Sequence, residues 1–285
     1  MRLARFNDGK YGIVVGDTIH DITAVVERIV ARAGAVRGDP VIAALDQIKA
    51  SVPDPETYQE YSVADVALLS PVANPTKLVA APTNYRAHIA EMAADKSVSN
   101  PHLPTDIGKA GMFLKANSAL VGPSAGVALR FPERRNDHEV ELVVIIGRAG
   151  SDIPEARALE HVAAYTLGLD MTLRGPEDRS FRKSIDTYAV LGPWLVTADE
   201  IPDPDDVSFS LKVNGDVRQD ANTSEMVYSV AKLIAYASSF YTLLPGDVIY
   251  TGSPEGVSPV KAGDIMLAEC PAIGVMEVKV RLHGA

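Results

Sequence analysis

Hydrophobic and polar residues alternate along much of this chain in short runs that glycine and proline interrupt. Strand-like runs recur in the second part of the chain, at 112–115, 126–130, 142–146, 192–196, 208–213, 247–250, 264–269 and 275–282. Apolar residues at helical spacing are fewer there, and the clearest predicted helices cover 153–164 and 229–241. Because strands outnumber helices, we predict an α+β fold that is rich in β structure.

The first 70 or so residues have a pattern of their own. Short strands joined by tight turns are predicted over 1–23, and apolar residues at helical spacing follow at 25–33 and 41–50. Ser70-Pro71 lies near the end of this region. We therefore predict a small N-terminal module at 1–70, followed by a larger domain at 71–285.

Composition and charge exclude several classes of protein. The formal net charge of −10 disfavours nucleic acid as a partner, and no run of Lys and Arg is interleaved with aromatic residues. No apolar run is long enough to cross a bilayer, and the N-terminus lacks the apolar core of a signal peptide, so we expect a cytoplasmic protein without a membrane partner. Cys270 is the only cysteine, which excludes an intramolecular disulfide and a cysteine-based zinc site.

Three acidic residues between 137 and 170 carry the strongest chemical signal. Glu139 and Glu141 flank Val140, so in an extended segment both carboxylates point to one side. Asp170 ends a second apolar run, from which another strand could deliver it to the same place. Carboxylates this close repel one another unless a cation lies between them, and three oxygen ligands suit Mg²⁺ or Mn²⁺. The alternative is a solvated edge strand, which the apolar run at 142–146 disfavours.

A histidine and an acid form a second candidate group. His88 and Glu91 are three residues apart in a segment with helical character, so they project from one side of one turn. A histidine held by a carboxylate is a serviceable general base, although the same spacing occurs on many surface helices. The segment that follows, 95–111, is polar and rich in Pro, Gly and Asn. It is predicted to be a binding loop or lid, with a plain surface loop as the alternative.

Basic residues and a glycine-rich turn complete the set of candidates. Arg174 and Lys183 are able to pair with carboxylate or enolate oxygens of a substrate, and solvated surface charges are the alternative interpretation. At 244–257 a strand runs into a glycine-rich turn whose hydroxyls and amides could hold an anion. The lysine and the spacing of a phosphate-binding loop are missing from this turn.

Taken together and in order, these motifs resemble the fumarylacetoacetate hydrolase family from about Lys77 to the end of the chain. Each motif is weak alone, but the ordered set is highly specific. The motifs are Asn84-Tyr85 with His88 and Glu91; Phe113-Leu114-Lys115; Asp137 with Glu139 and Glu141; Asp170 with Thr172 and Arg174; Gly192-Pro193-Trp194; Val213-Asn214-Gly215; Leu244-Pro245-Gly246-Asp247; and Thr251-Gly252-Ser253-Pro254.

The resemblance implies a mixed β-roll catalytic domain, usually dimeric, with a small N-terminal module. It implies that Glu139, Glu141 and Asp170 bind Mg²⁺ or Mn²⁺, and that His88 and Glu91, on a mobile lid, activate water or move a proton. Lys183 is expected to be catalytic as well. The residues expected to bind substrate are Tyr85, Lys115, Arg174, Glu177, Thr251 and Ser253.

Three departures from the family pattern leave the substrate open. Glu177 stands where many relatives have glutamine, and Thr251-Gly252-Ser253 replaces the commoner Thr-Gly-Thr. The spacing between the aromatic residue and Lys183 is also shortened. These positions lie outside the predicted metal ligands.

The expected activity is metal-dependent hydrolysis of a C–C bond in an acylpyruvate-like 2,4-dioxo acid. Substrates of the fumarylacetoacetate, fumarylpyruvate or diketo-deoxy sugar acid type would release pyruvate or a related oxo acid. The alternatives are decarboxylation of an oxaloacetate-like acid and isomerisation of a 2-hydroxyhepta-2,4-diene-1,7-dioate-like acid. A protein that binds oxo acids without turnover is a further alternative, against which the His-Glu pair argues.

Overall fold

The computed structural model describes residues 1–94 and 107–284. The strands are β1 (Arg2–Phe6), β2 (Lys10–Val15), β3 (Thr18–Asp21), β4 (Glu60–Ser62), β5 (Leu78–Ala80), β6 (Phe113–Lys115), β7 (Leu120–Val121), β8 (Val127–Leu129), β9 (Asn136–His138), β10 (Val140–Ile146), β11 (Val162–Asp170), β12 (Thr172–Leu173), β13 (Ala189–Thr197), β14 (Ser208–Val213), β15 (Asp216–Asn222), β16 (Val248–Tyr250), β17 (Ser258–Pro259), β18 (Ile265–Cys270) and β19 (Gly274–Leu282).

Helices are fewer than strands in the described residues. The α-helices are α1 (Thr23–Ala33), α2 (Pro40–Ala43), α3 (Leu45–Ser51), α4 (Arg86–Ala94), α5 (Ile107–Ala110), α6 (Arg179–Arg182) and α7 (Val230–Ser238). Single 3-10 turns lie at Pro55–Thr57, Val63–Asp65, Asn117–Ala119, Pro123–Ala125, Ala198–Glu200 and Thr223–Glu225, and a longer 3-10 helix covers Glu155–His161. The predicted strand-rich α+β fold is confirmed. None of the helices in the described part of the chain has the length and apolar content needed to span a bilayer.

One large sheet organises the fold. Its strand order is β4-β3-β2-β1-β13-β11-β10-β16-β5-β6, and β7 pairs in parallel with β13. A five-stranded sheet has the order β15-β14-β18-β19-β8, and a three-stranded sheet has the order β12-β9-β17. The pairing of β1 with β13 joins the N-terminal strands to the large sheet, while the division of the chain at residue 70 stays a prediction.

Apolar side chains cover both faces of β10, the strand that carries Glu141. Val140, Leu142, Val144 and Ile146 belong to one apolar core, which also contains residues of the five-stranded sheet. The intervening residues 143 and 145 belong to a second core, which contains the apolar residues of α1, α2 and α3. Because successive strand side chains point to opposite faces, β10 is buried on both sides, as its continuous apolar sequence predicts.

The helix predicted over 153–164 is wrong at its C-terminal end. The segment forms a 3-10 helix at Glu155–His161 and passes directly into β11. β11 pairs with β10 on one side and β13 on the other, and its residues from Ala164 onward are buried. These cross-strand contacts decide the conformation of Ala163 and Ala164 against their helical preference.

Candidate active site

The structure brings the three predicted metal ligands together. Antiparallel pairing of β10 with β11 sets Glu141 opposite Gly168, and the Asp170 amide donates a hydrogen bond to the Glu139 carbonyl at 2.8 Å. Carboxylate oxygens of Glu139, Glu141 and Asp170 lie within 4.8 Å of one another, and all three side chains are buried. The register of two buried strands therefore produces the cluster.

Two lysines bind the carboxylates of this cluster directly. Lys183 Nζ donates to Glu139 Oε2, Asp170 Oδ2 and Thr172 Oγ1, each at 2.7 Å. Lys115 Nζ binds Asp170 Oδ1 and donates to the Tyr188 carbonyl at 2.9 Å. Both ammonium groups are buried, so each is held by its carboxylate partner rather than by water.

An arginine fixes the other side of Glu139. Arg174 donates from Nε to Asp137 Oδ2 at 2.7 Å and from Nη2 to Glu139 Oε1 at 2.9 Å. Its Nη1 has no hydrogen-bond partner in the described residues. Burial acts to raise the pKa of Glu139, but the charges of Lys183 and Arg174 outweigh it and hold that pKa well below its usual range.

Glu141 differs from the other two acids because no cation pairs with it in the described residues. Its Oε2 accepts a hydrogen bond from the Gly252 amide at 2.6 Å. Gly252 has a φ of +100°, and a Cβ there would lie 2.6 Å from the Asn84 Cβ, so this close approach requires glycine. Burial and the charges of Asp170 and Glu139 raise the pKa of Glu141 well above its usual range.

This environment fits a divalent cation. Three buried carboxylates converge, and one of them lacks a positive partner among the described residues. Hard oxygen ligands of this kind are those that Mg²⁺ and Mn²⁺ prefer, and a bound cation would favour the ionised form of Glu141. The residues present therefore match the ion that the sequence predicts.

The His-Glu pair lies on α4, and His88 is near Glu139 of this cluster. His88 Nδ1 lies 2.9 Å from Glu91 Oε2, and Glu91 Oε1 accepts a hydrogen bond from the Gly256 amide at 3.1 Å. Burial acts to raise the pKa of Glu91, but the hydrogen bonds from His88 and Gly256 outweigh it and lower that pKa. Because an ionised carboxylate only accepts, Nδ1 carries the proton and Nε2 is left as an acceptor.

His88 is buried, and when its ring is protonated its charge acts to lower the pKa of Glu139. Of the predicted lid, residues 95–106 lie outside the described residues. The lid therefore stays a prediction, and α4 and α5 mark where the described chain leaves and rejoins it.

Two predicted substrate-binding hydroxyls instead bind the strand that carries Glu141. Thr251 Oγ1 donates to the Leu142 carbonyl at 2.8 Å, and Ser253 Oγ donates to the Val140 carbonyl at 3.1 Å. Both side chains are buried. In this structure they position β10, and their contact with a substrate stays a prediction.

Tyr85 and Glu177 occupy different settings. Tyr85 is fully buried, its hydroxyl has no hydrogen-bond partner in the described residues, and its contact with a substrate stays a prediction. Glu177 accepts two hydrogen bonds from Arg134, at 2.9 and 2.8 Å, which lower the pKa of this carboxylate to about 2. No contact joins Glu177 to the three clustered acids in the described residues, and its role in substrate binding stays a prediction.

Gln219 is a site residue that the sequence interpretation missed. Its Oε1 accepts hydrogen bonds from the Val140 amide at 3.1 Å and from His138 Nδ1 at 2.9 Å. Its Nε2 donates to Ser253 Oγ at 2.8 Å and to the Pro254 carbonyl at 2.9 Å. Gln219 lies in β15, a strand that the mostly polar segment 216–222 did not indicate, so no local signal pointed to it.

Comparisons with known proteins agree with this geometry. The family model described as fumarylacetoacetate (FAA) hydrolase C-terminal matches residues 77–281. Maleylpyruvate hydrolase of Aquipseudomonas alcaligenes is 50% identical over 288 residues, which cover 99% of this chain and 99% of the relative. The mitochondrial oxaloacetate tautomerase of Xenopus laevis is 37% identical over 228 residues, which cover 75% of this chain and 68% of the relative.

A solved structure extends the similarity to the whole fold. The crystal structure of maleylpyruvate hydrolase from Sphingobium sp. SYK-6, in complex with manganese(II) ion and pyruvate, matches with a TM-score of 0.82. The two sequences are 36% identical, and the match covers 99% of each chain.

Proposed function

This chain belongs to the fumarylacetoacetate hydrolase family, and we propose that it is a metal-dependent hydrolase that cleaves the C–C bond of an acylpyruvate. The observation that carries the proposal is the position of the His88–Glu91 pair beside the buried cluster of Glu139, Glu141 and Asp170. One group supplies a general base and the other a cation site. Hydrolysis of a 2,4-dioxo acid requires both.

The metal ligands, His88 and Glu91 have different roles in the proposed hydrolysis. Mg²⁺ or Mn²⁺, when held by the three carboxylates, supplies Lewis-acid polarisation of the oxo acid. His88 takes a proton from water at Nε2, and the water oxygen adds to the carbonyl carbon of the acyl group. Glu91 holds Nδ1 and stabilises the imidazolium that forms. Cleavage of the adjacent C–C bond then releases a carboxylic acid and the enolate of pyruvate, and the proton held by His88 returns to the enolate carbon to give pyruvate.

Fixed cations lower the energy of the charge that develops on the pyruvate half. Lys183 lies against Glu139 and Asp170, and Lys115 lies against Asp170. Nη1 of Arg174 has no hydrogen-bond partner in the described residues, so it is available for a substrate oxygen. Preorganised charges in a buried site act more strongly than in water and need no reorganisation during the reaction.

The relatives support maleylpyruvate as the first substrate to test. A maleylpyruvate hydrolase is 50% identical along the whole chain, whereas the oxaloacetate tautomerase is 37% identical over three quarters of it. Tautomerisation of oxaloacetate is therefore the second candidate, because it needs the same cation site and proton-transfer pair but no attack by water.

Product analysis separates the two functions. The manganese-loaded protein is incubated with maleylpyruvate, fumarylpyruvate, acetylpyruvate and oxaloacetate, and products are followed by NMR. Hydrolysis releases pyruvate together with maleate, fumarate or acetate. If no acylpyruvate is cleaved while the keto and enol forms of oxaloacetate interconvert faster, the hydrolase assignment is wrong.

We also propose a homodimer, which the resemblance supports, and a cytoplasmic location. Light scattering on the purified protein and fractionation of the source cells test these two points. A monomer in solution would contradict the first, and recovery outside the cytoplasm would contradict the second.

A further inference from the structure

Two arginines close to the cluster lack a carboxylate partner. Arg179 and Arg182 are the first and last residues of α6, and neither has a carboxylate oxygen within 4.0 Å in the part of the chain that the structure describes. Asp178 caps α6 by accepting a hydrogen bond from the Ser180 amide at 2.8 Å. Its carboxylate is thus used by the helix rather than by either guanidinium.

Neighbouring arginines are different. Arg130 pairs with Asp186 and Arg134 pairs with Glu177. Arg174 binds two acids of the site. The two arginines of α6 differ from these three in lacking a carboxylate partner in the described residues.

Partial burial makes the lack of a partner significant. Nε of Arg182 is buried with no hydrogen-bond partner in the described residues, and its Nη1 reaches the Leu173 carbonyl only at 3.5 Å. Burial and the positive charge of Arg174 lower the pKa of Arg182, and burial also lowers that of Arg179. Cations partly withdrawn from water are stabilised when an anion binds them.

The position of the two arginines connects them to the metal site. The Arg179 guanidinium lies 5.6 Å from the centre of the Phe113 ring, and Lys183 Nζ lies 5.3 Å from the centre of the same ring. Lys183 in turn binds Glu139 and Asp170. Arg179 and the lysine that binds the clustered carboxylates therefore lie near the same aromatic ring.

We propose that Arg179 and Arg182 form an anion subsite that binds the far carboxylate of a dicarboxylic substrate while its oxo-acid end lies at the metal site. The proposal rests on the proposed function and narrows it to acylpyruvates whose acyl chain ends in a carboxylate. A guanidinium presents paired donors that match a carboxylate. An uncharged acyl chain would leave both cations unpaired.

A matched pair of ligands tests the subsite without requiring turnover. 2-Oxopimelate and 2-oxoheptanoate share one carbon chain, and the second has a methyl group where the first has its far carboxylate. Calorimetry on the manganese-loaded protein should give a dissociation constant for 2-oxopimelate at least roughly tenfold lower, since a hydrogen bond to a charged group contributes that much or more.

Single variants then assign the preference to the two arginines. Arg179→Met and Arg182→Met should each weaken 2-oxopimelate binding roughly tenfold or more and leave 2-oxoheptanoate binding unchanged. Arg182→Lys keeps the charge, so it provides an intermediate case and a second variant if the methionine form does not fold. Arg157→Met is the control, since Arg157 pairs with Glu160 on the exposed surface.

Equal binding of the two ligands by the unmodified protein would overturn the subsite. So would an equal loss of both ligands in the α6 variants. The proposed function fails separately: if no acylpyruvate is cleaved but 2-oxopimelate binds in an arginine-dependent way, the subsite stands and the hydrolase assignment does not. If acylpyruvates with and without the far carboxylate are cleaved equally well by every variant, the hydrolase assignment stands and the subsite does not.

Discussion

Replacing Gln219 with leucine tests whether the fold and the metal site share one hydrogen-bond network. The side chain joins β15 to the start of β10 and to the turn after β16 through Val140, His138, Ser253 and Pro254. Leucine has a similar size but no polar atoms, so it leaves these buried groups without their partner. Each such group costs about 1–3 kcal/mol when unsatisfied.

The costs of these unsatisfied groups do not add fully, because the Ser253 hydroxyl and the His138 ring are able to turn toward other partners. We expect the free energy of unfolding of the metal-free protein to fall by about 3 kcal/mol, within the range for breaking a buried network. Val140 lies between Glu139 and Glu141. Displacement of its backbone should therefore weaken Mn²⁺ binding by roughly tenfold to a hundredfold, as removal of groups that hold metal ligands does.

Urea denaturation in the presence of chelator measures the free energy of unfolding, and calorimetric titration with Mn²⁺ measures the metal affinity. Gln47→Leu is the matched control, because Gln47 lies on the exposed side of α3 and leucine and glutamine have similar helix propensities. An unfolding free energy within about 0.5 kcal/mol of the unmodified protein would refute the reasoning about Gln219. A loss of stability with unchanged Mn²⁺ affinity would show that the network supports the fold but not the cluster.

Three further predictions concern the cation, the general base and a surface ion pair. Chelation should abolish turnover and lower the melting temperature, Mn²⁺ should restore both, and Asp170→Asn should lose metal affinity by calorimetry; full activity in excess chelator would contradict the assignment. His88→Ala should lower kcat roughly 10²–10⁴-fold with little change in oxo-acid affinity, and Glu91→Gln should have a milder effect; an unfolded His88→Ala protein would instead indicate a packing role. Glu177 has a pKa of about 2 beside Arg134, so this pair favours the folded state above the ordinary glutamate pKa of about 4.3 and loses that effect as the pH falls toward 2. In Arg134→Met the pKa of Glu177, followed by NMR, should rise toward its ordinary value; an unchanged pKa would show that Arg134 is not its cause.

The sequence was sufficient for those parts of the site that depend on a single strand or one helical turn. The alternation at Glu139 and Glu141 and the spacing of His88 and Glu91 are local patterns, and the structure brings the side chains of each pair to one side. The apolar run of β10 likewise predicted a strand buried on both faces, since local composition reflects burial directly.

Contacts between distant parts of the chain were not predictable in this way. Gln219 reaches Val140 and Ser253 across separate sheets, and nothing in a polar strand indicates which neighbour it meets. The pairing of Glu177 with Arg134 is of the same kind. Residues 162–164 have apolar residues at helical spacing, but pairing on both sides makes them part of a strand. The sequence that determines this pairing lies in β10 and β13, outside the segment itself.

The charges around the cluster are arranged for a reaction in which negative charge increases. Asp137 has its own partner in Arg135, at 2.8 Å. The three clustered carboxylates, when ionised, are matched by three buried or nearly buried cations, which are Lys115, Arg174 and Lys183. Loading with a divalent ion therefore gives these groups, counted apart from Glu91 and the arginines of α6, two surplus positive charges. The substrate carboxylate offsets one, and the charge that develops on the pyruvate half as the C–C bond breaks offsets the other. Because the second is offset only as the reaction proceeds, the site is more complementary to the transition state than to the bound substrate.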